Sequence, residues 1–445
     1  MEFEKAVSDA VKRLEGEDVD SFEVAGLASN ALTIEAKRQK VDSFNKTVSR
    51  GLAIRVIRKG SAGFSSTTDI SAKAVAKAVS QSLDALKITS PSEDAVVAKP
   101  ESGISGFAEK VGRSFAEIPD DEKMALALKL ESETIAADSR IARVRSPRYE
   151  EIVWQQTIVN SEGVRVSSKR GLVLCEVSAI AVDGNLTESA YDFCFSPRFE
   201  DLDVRAVARS AAARAVGKLG ASPLEGGEMP VVFENRAAAS MLGLLAPSFF
   251  ADNVQKGKST IANKKGEKIY SDLVTIVDDG ILAGGYSSFP FDGEGVPSEK
   301  TTMVNRGRQA SWLYDTARAM KDGTLSTGNC RRNSINKLPV IGVTNCYLEN
   351  GASKRNDLIR GISNGFMVTS LMGLHTANAV TGDFSLGAEG FVVSNGLVSR
   401  PVRGVTIAGN IHDLFAAVEA VADDFHLGGT FGSPSILVKS LMLGG

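Results

Sequence analysis

The stretch Leu52-Ala53-Ile54-Arg55-Val56-Ile57, closed by the turn pair Lys59-Gly60, decides how this chain is read. Its two-residue alternation and β-branched content are those of a strand. The same pattern holds from Ala31 to Phe64, including Leu32-Thr33-Ile34-Glu35, so the whole segment reads as a meander. On either side the period becomes helical. Upstream, Phe3, Val7, Ala10, Val11 and Leu14 share a face and Gly16 follows, which predicts a helix stopping near Glu15. Downstream, Asp69 or Ser71 can cap a helix carrying Ala74, Val75, Ala78, Val79, Leu83 and Leu86, long enough to cover one face of the sheet. The expectation is a layered unit of the α+β class.

Beyond it, Ile88 to Glu117 mixes Ser, Pro and Gly with acids and reads as a connector. Pro119-Asp120-Asp121-Glu122 then opens a helix to about Ala137, its negative charges at the favourable end. From Ile141 to Phe195 alternation returns, broken by turn chemistry at Ser161-Glu162-Gly163, Arg170-Gly171 and Asp183-Gly184-Asn185. Three or four antiparallel strands are predicted there. A helix from Asp201 to about Leu219 closes the half, and the Gly/Ser/Pro stretch Gly220 to Gly227 marks a boundary. The expected organisation is an N-terminal α+β domain, residues 1–222, with sheet-forming parts at 1–90 and 118–219. A Gly-rich, mainly antiparallel β domain, residues 223–445, follows. In that second half only the Ala237 segment, Arg308 to Ala319, Ser353 to Ile362 and His412 to Ala422 look helical.

With 445 residues, 43% hydrophobic and 24% charged, the chain has the composition of a globular protein of two or three domains. A formal charge of −3 gives no general attraction to nucleic acid or anionic lipid. The short basic pairs Arg331-Arg332 and Lys264-Lys265 read as solvated surface. The start, Met1-Glu2-Phe3-Glu4-Lys5, lacks the basic-then-apolar pattern of a secretory signal, so a cytoplasmic location is expected. Ala237 to Ala251, interrupted by Pro247, is shorter than the roughly 20 residues needed to span a bilayer and reads as a buried helix. Cys175, Cys194, Cys330 and Cys346 form no C-x-x-C pair and are expected to be structural thiols.

His375, His412 and His426 are too scattered for a paired Cys/His or H-E-x-x-H metal motif. Neither a G-x-S-x-G elbow nor a G-x-x-x-x-G-K-[ST] loop is present. What remains is a series of glycine-flanked polar clusters: Phe291-Asp-Gly-Glu-Gly-Val-Pro297, Leu325-Ser-Thr-Gly-Asn329, Val380-Thr-Gly-Asp-Phe-Ser-Leu-Gly387 and Ile407-Ala-Gly-Asn410. Each is singly a tight turn. Together they suit a peptide-lined cleft, because glycine lets a second backbone come close. Asp292 and Glu294 could serve acid/base or metal chemistry, or simply accept main-chain hydrogen bonds inside their turn. Asp383 carries the same two readings, with Ser385 as its local partner.

In this order, F-D-G-E-G-V-P, S-T-G-N, the Gly382 to Phe391 segment, Asn395 to Val402 and T-I-A-G-N resemble the TldD/PmbA family over nearly the whole chain. That resemblance implies a cytoplasmic metalloprotease system, linked to peptide-antibiotic maturation and described as a modulator of DNA gyrase. In it a TldD-type subunit carries zinc through an H-E-x-x-x-H helix and a cysteine, and a TldE (PmbA) subunit pairs with it. This chain looks like the TldE side. After Phe233-Glu234-Asn235 it has Ala238-Ala239-Ser240-Met241-Leu242-Gly243-Leu244, and in Gly428-Gly429-Thr430-Phe431-Gly432 a phenylalanine stands where the cysteine is expected. The resemblance therefore implies no cofactor in this chain, zinc in a TldD-like partner and a peptide substrate, while the acidic balance and the short apolar stretches predict no direct nucleic-acid or membrane contact. Asp292, Glu294, Asn329, His375, Asp383 and Ser385 are expected to line the peptide cavity as positioning groups. The alternatives are a homo-oligomeric peptide-binding or regulatory protein without proteolysis, and a homodimeric peptidase recruiting Mg or Mn through Asp292, Glu294 and a histidine.

Overall fold

A computed structural model of the chain describes residues 2–100 and 114–445. Its first half is built on six strands: β1 (Ser21–Lys37), β2 (Lys40–Arg58), β3 (Ser61–Thr67), β4 (Ile141–Asn160), β5 (Arg165–Asp183) and β6 (Leu186–Ser196). They form one antiparallel sheet in the order β3-β2-β1-β4-β5-β6. The two sheet-forming stretches are joined through β1 and β4, which pair from Glu23↔Asn160 to Glu35↔Arg148. The first strand begins at Ser21, ten residues before its alternation becomes visible. From Ser21 to Gly26 every residue is buried, so no polar face marks the period.

Four helices cover one face of this sheet. Helices α1 (Glu2–Leu14) and α2 (Ala72–Ala85) lay Phe3, Val7, Val11, Val75 and Val79 on Val24, Leu52, Ile54 and Val56. Ser71 caps α2 by accepting the Ala74 N–H. Helices α3 (Asp120–Ala136) and α4 (Val204–Gly217) cover the β4 to β6 side, with Leu130, Val207, Ala208 and Ala211 against Cys175, Val177 and Ala179. Because all four helices share one face, the opposite face is left for the second half of the chain. The expected connector Ile88 to Glu117 includes residues 101–113, which lie outside the described residues.

The second half packs helix α5 (Asn235–Leu245) between two further six-stranded sheets. Strand β7 (Gly227–Phe233) lies in one of them and pairs in parallel with Asn364–Met372, an exception to the mainly antiparallel pattern. Ala237, Ala238, Met241, Leu242 and Leu245 of α5 are buried among Phe233, Ile276, Met303, Leu348 and Phe366. The helix expected over Arg308 to Ala319 is shorter. Trp312, Leu313 and Tyr314 enter the core in extended backbone, and the helix starts at Thr316, where the Asp315 side chain accepts the Arg318 N–H. Likewise the segment His412 to Ala422 divides into a short helix, Ile411–Ala416, and a strand, Val418–Val421. Among the described residues no helix is long and apolar enough to cross a membrane.

Candidate functional site

The register of the first sheet writes the uncovered face row by row. Glu23, Arg55 and Phe64 stand level, then Ala25, Ala53, Ile158 and Val166, then Leu27, Gly51 and Gln156, and finally Ser29, Ser49, Trp154 and Arg170. The second half of the chain lies over these rows. Phe291 and Val296 cover the Ala25, Ala53 and Ile158 row as an apolar seal. Beside it runs a buried chain of charges: the Arg332 guanidinium lies 2.6 Å from Glu23, Arg55 is 3.4 Å from Glu23, and Arg55 is 3.8 Å from Glu294. Burial opposes ionisation of Glu23, but Arg55 and Arg332 hold its carboxyl below the ordinary value. The Arg331-Arg332 pair is therefore not solvated surface, since the Arg332 side chain is 1% exposed.

Above the seal, the Asp292 turn is held by its own side chain. Asp292 Oδ1 accepts the N–H groups of Glu294 (2.8 Å) and Val296 (3.0 Å), and Oδ2 accepts that of Cys330 (3.0 Å). Glu294 Oε2 accepts the Thr316 N–H at 3.0 Å. Asn329 donates to Asp278 Oδ2 at 2.6 Å and to the Gly342 carbonyl, and accepts from the Thr327 hydroxyl. These three predicted residues are buried together and fasten loops to one another. Burial, with Glu294 adding to it, pushes Asp292 up to about 8. Burial also raises Glu294 and Cys330. Ligand atoms of Asp292, Glu294 and Cys330 lie within 4.8 Å of one another. Yet both Asp292 oxygens already accept main-chain N–H groups and Glu294 is shared between Arg55 and Thr316, so the trio is built as a loop fastening.

Between the loops and the lower rows lies a cavity of about 930 Å³, at the upper end of the range of roughly 300–1,000 Å³ for small-molecule sites. Ser29, Ser49 and Trp154 form its floor, Tyr286 to Phe289 one wall, and Cys330 to Asn336 another. Arg170 anchors the wall by donating to the carbonyls of Tyr286 (2.7 Å) and Gly285. Gln156 donates to the Asp292 carbonyl at 2.9 Å. Gly51 permits the approach, because a Cβ there would lie 2.3 Å from Ile335 Cδ1 and 2.5 Å from the Thr67 carbonyl oxygen. Of the predicted residues, Asp292 lines this cavity, and Glu294 and Asn329 lie behind its wall. His375, Asp383 and Ser385 are exposed and stand elsewhere, on and beside the Asp383–Ser394 strand. Asp383 takes the Thr381 hydroxyl (2.7 Å) and the Asn410 amide (2.9 Å) as partners, in place of Ser385. Trp154, Arg170 and Glu23 escaped the sequence reading, because only strand register brings them to one face.

Helix α5 presents no ligating side chain on its buried face. Phe431 closes on it from the neighbouring strand: a Cβ at Gly243 would meet the ring at 3.5 Å. Near this helix, His426 Nε2 is buried without a hydrogen-bond partner. The carboxylates around it are taken, Asp192 by Arg236 and Glu234 by Arg214 and Arg355. One imidazole with neutralised acids does not fit a zinc site, which needs three or four donors.

Three sequence profiles match along the chain: PmbA/TldA metallopeptidase domain 1 at residues 23–86, the central domain at 113–219 and the C-terminal domain at 226–445. A relative from Escherichia coli O157:H7 named metalloprotease PmbA is 28% identical over 99% of this chain and 96% of its own. Among solved structures, a Thermotoga maritima protein described as a modulator of a DNA gyrase superposes with a TM-score of 0.90 at 26% identity, covering 99% of this chain and all of that one. TldE from Thermococcus kodakarensis has the same fold, with a TM-score of 0.87 at 23% identity and complete coverage of both chains.

Proposed function

This chain belongs to the PmbA/TldA metallopeptidase family, and on that premise we propose that it is the metal-free subunit of a TldD/TldE-like cytoplasmic metalloprotease, positioning unfolded peptides for cleavage at a partner's zinc. The observation that carries this reading is helix α5: alanines, methionine and leucine stand on its buried face, with the Phe431 ring packed against it. A zinc ion in the partner would supply an activated water and a polarised carbonyl. The work left to this chain is to hold and orient the peptide, which lowers the barrier without bond-breaking groups of its own. Asp292, Glu294 and Asn329 contribute by fixing the loops that wall the cavity. His375, Asp383 and Ser385, exposed on the second half, contact peptide outside it.

The test uses the purified full chain. Alone it should hold no stoichiometric zinc and leave an unfolded peptide intact, and addition of a TldD-like partner should give chelator-sensitive cleavage. Intact peptide in the presence of an active partner would favour the homo-oligomeric, non-proteolytic role. Stoichiometric metal in the single-chain preparation would favour a peptidase built on Asp292, Glu294 and a histidine.

A further inference from the structure

Four arginines line the cavity, and three are accounted for. Arg332 pairs with Glu23, Arg50 stands 3.6 Å from Glu2, and Arg170 donates to the Gly285 and Tyr286 carbonyls. Arg331 differs. Among the described residues its guanidinium makes no hydrogen bond and no ion pair, although it is half-buried. The nearest carboxylates are already used: Asp278 accepts from Thr344 and Asn329, and Asp292 from Glu294, Val296 and Cys330. Burial, joined by the charge of Arg170, lowers the Arg331 guanidinium from its ordinary value despite those acids. The position is fixed by the short ladder pairing Arg331 with Val340. Room for the side chain comes from Gly342, where a Cβ would lie 2.9 Å from Arg331 Cγ. A cation held in place, short of counter-charge and facing a cavity is a site for an anion.

We propose that Arg331 anchors a carboxylate-binding subsite, in which the cavity takes an extended peptide whose carboxylate, at its C-terminus or on an acidic side chain, docks on the guanidinium. Trp154 and Tyr286 offer aromatic surface to the rest of the peptide, and Ser29 and Ser49 offer hydroxyls. A guanidinium matches a carboxylate with two parallel N–H···O bonds, which an amide end cannot accept. The peptide part rests on the function proposed above, whereas the anion part rests on Arg331 itself.

The experiment measures binding of a short, N-terminally labelled neutral peptide to the full chain by fluorescence anisotropy. The peptide is prepared as the free C-terminal acid, as the amide, and as the amide with one internal glutamate. The free acid should bind about tenfold or more tightly than the amide. Arg331→Gln should erase that preference and Arg331→Lys should restore part of it. Equal affinity of the glutamate-containing amide and the acid means that the site takes a carboxylate from either source, preference for the acid alone assigns it to the chain terminus, and preference for the glutamate-containing amide alone assigns it to side chains. Because Arg331 has no partner to lose, the Arg331→Gln chain should unfold at the same temperature as the parent or higher. A clear fall would make Arg331 a structural prop and overturn the proposal. Equal binding of all three forms overturns the subsite while leaving peptide positioning intact, and absence of binding by all three overturns both.

Discussion

Asp292 and Asp383 each sit beside a glycine in a turn, yet one is 4% exposed and accepts three main-chain N–H groups, while the other stands in solvent and accepts from a threonine and an asparagine side chain. The environments set opposite electrostatics. Burial and Glu294 push Asp292 up, whereas the Thr381 and Asn410 hydrogen bonds hold Asp383 below its ordinary value. A glycine-flanked acid is thus a structural fastening where the loop is covered, and is free for ligand contact where it is open.

The comparison breaks first at Asp292. Asp292→Ala leaves three buried N–H groups without an acceptor, and at about 1–3 kcal/mol for each unsatisfied group, partly relieved by relaxation, the loss should be about 3–5 kcal/mol. Denaturant unfolding measures it, and a loss below about 1 kcal/mol would contradict the fastening role. The pH dependence follows from the sign of the shift. A carboxyl moved from 3.8 to about 8 binds more protons folded than unfolded, so its stabilisation is complete below the unfolded value and is lost as pH rises through about 8. The unfolding midpoint should fall from about pH 4 to about pH 8 and level off above it, and Asp292→Asn should flatten that slope. Asp383 has the reverse sign: its small contribution is present above the ordinary value and disappears as pH falls through the lowered one.

How far the sequence carries this comparison depends on whether partners are local. The Asp292 turn is legible because its acceptors serve residues two and four positions on, the pattern of an Asx-type turn. Asp383 is only half legible. Thr381 is local, but Asn410 stands opposite it through the pairing of two strands, which displaces the expected Ser385. Helices α1 to α4 show themselves by period, since each buries one face. The start of β1 does not, because both its faces are covered. Arg331 and Arg332 form a sequence pair with no hint of burial. Their different fates, one paired with Glu23 and the other partnerless, depend on contacts distant in the chain, since Glu23 lies 309 residues from Arg332.

The same contrast predicts an intermediate effect at Gly51, where the covering loop meets the sheet. A valine there would press on Ile335 and on the Thr67 carbonyl, the second a main-chain atom that cannot swing away. Overpacking of this kind costs about 1–3 kcal/mol, and it should also weaken peptide binding by displacing the 330–336 wall. Unchanged stability together with unchanged binding would mean that the wall is not seated by this contact.

The smallest effect on stability belongs to Asp383, and there the comparison is sharpest. Its carboxylate is exposed and its partners Thr381 and Asn410 remain solvated on their own, so Asp383→Ala should leave the unfolding midpoint unmoved. If the open hairpin contacts peptide, the same substitution should lower cleavage by the complex of this chain with a TldD-like partner while the two subunits still elute together. Asp292→Ala should instead lose folding and activity in parallel. Wild-type turnover by the Asp383→Ala complex would remove the hairpin from the peptide path and leave the walled cavity as the place where this chain meets its substrate.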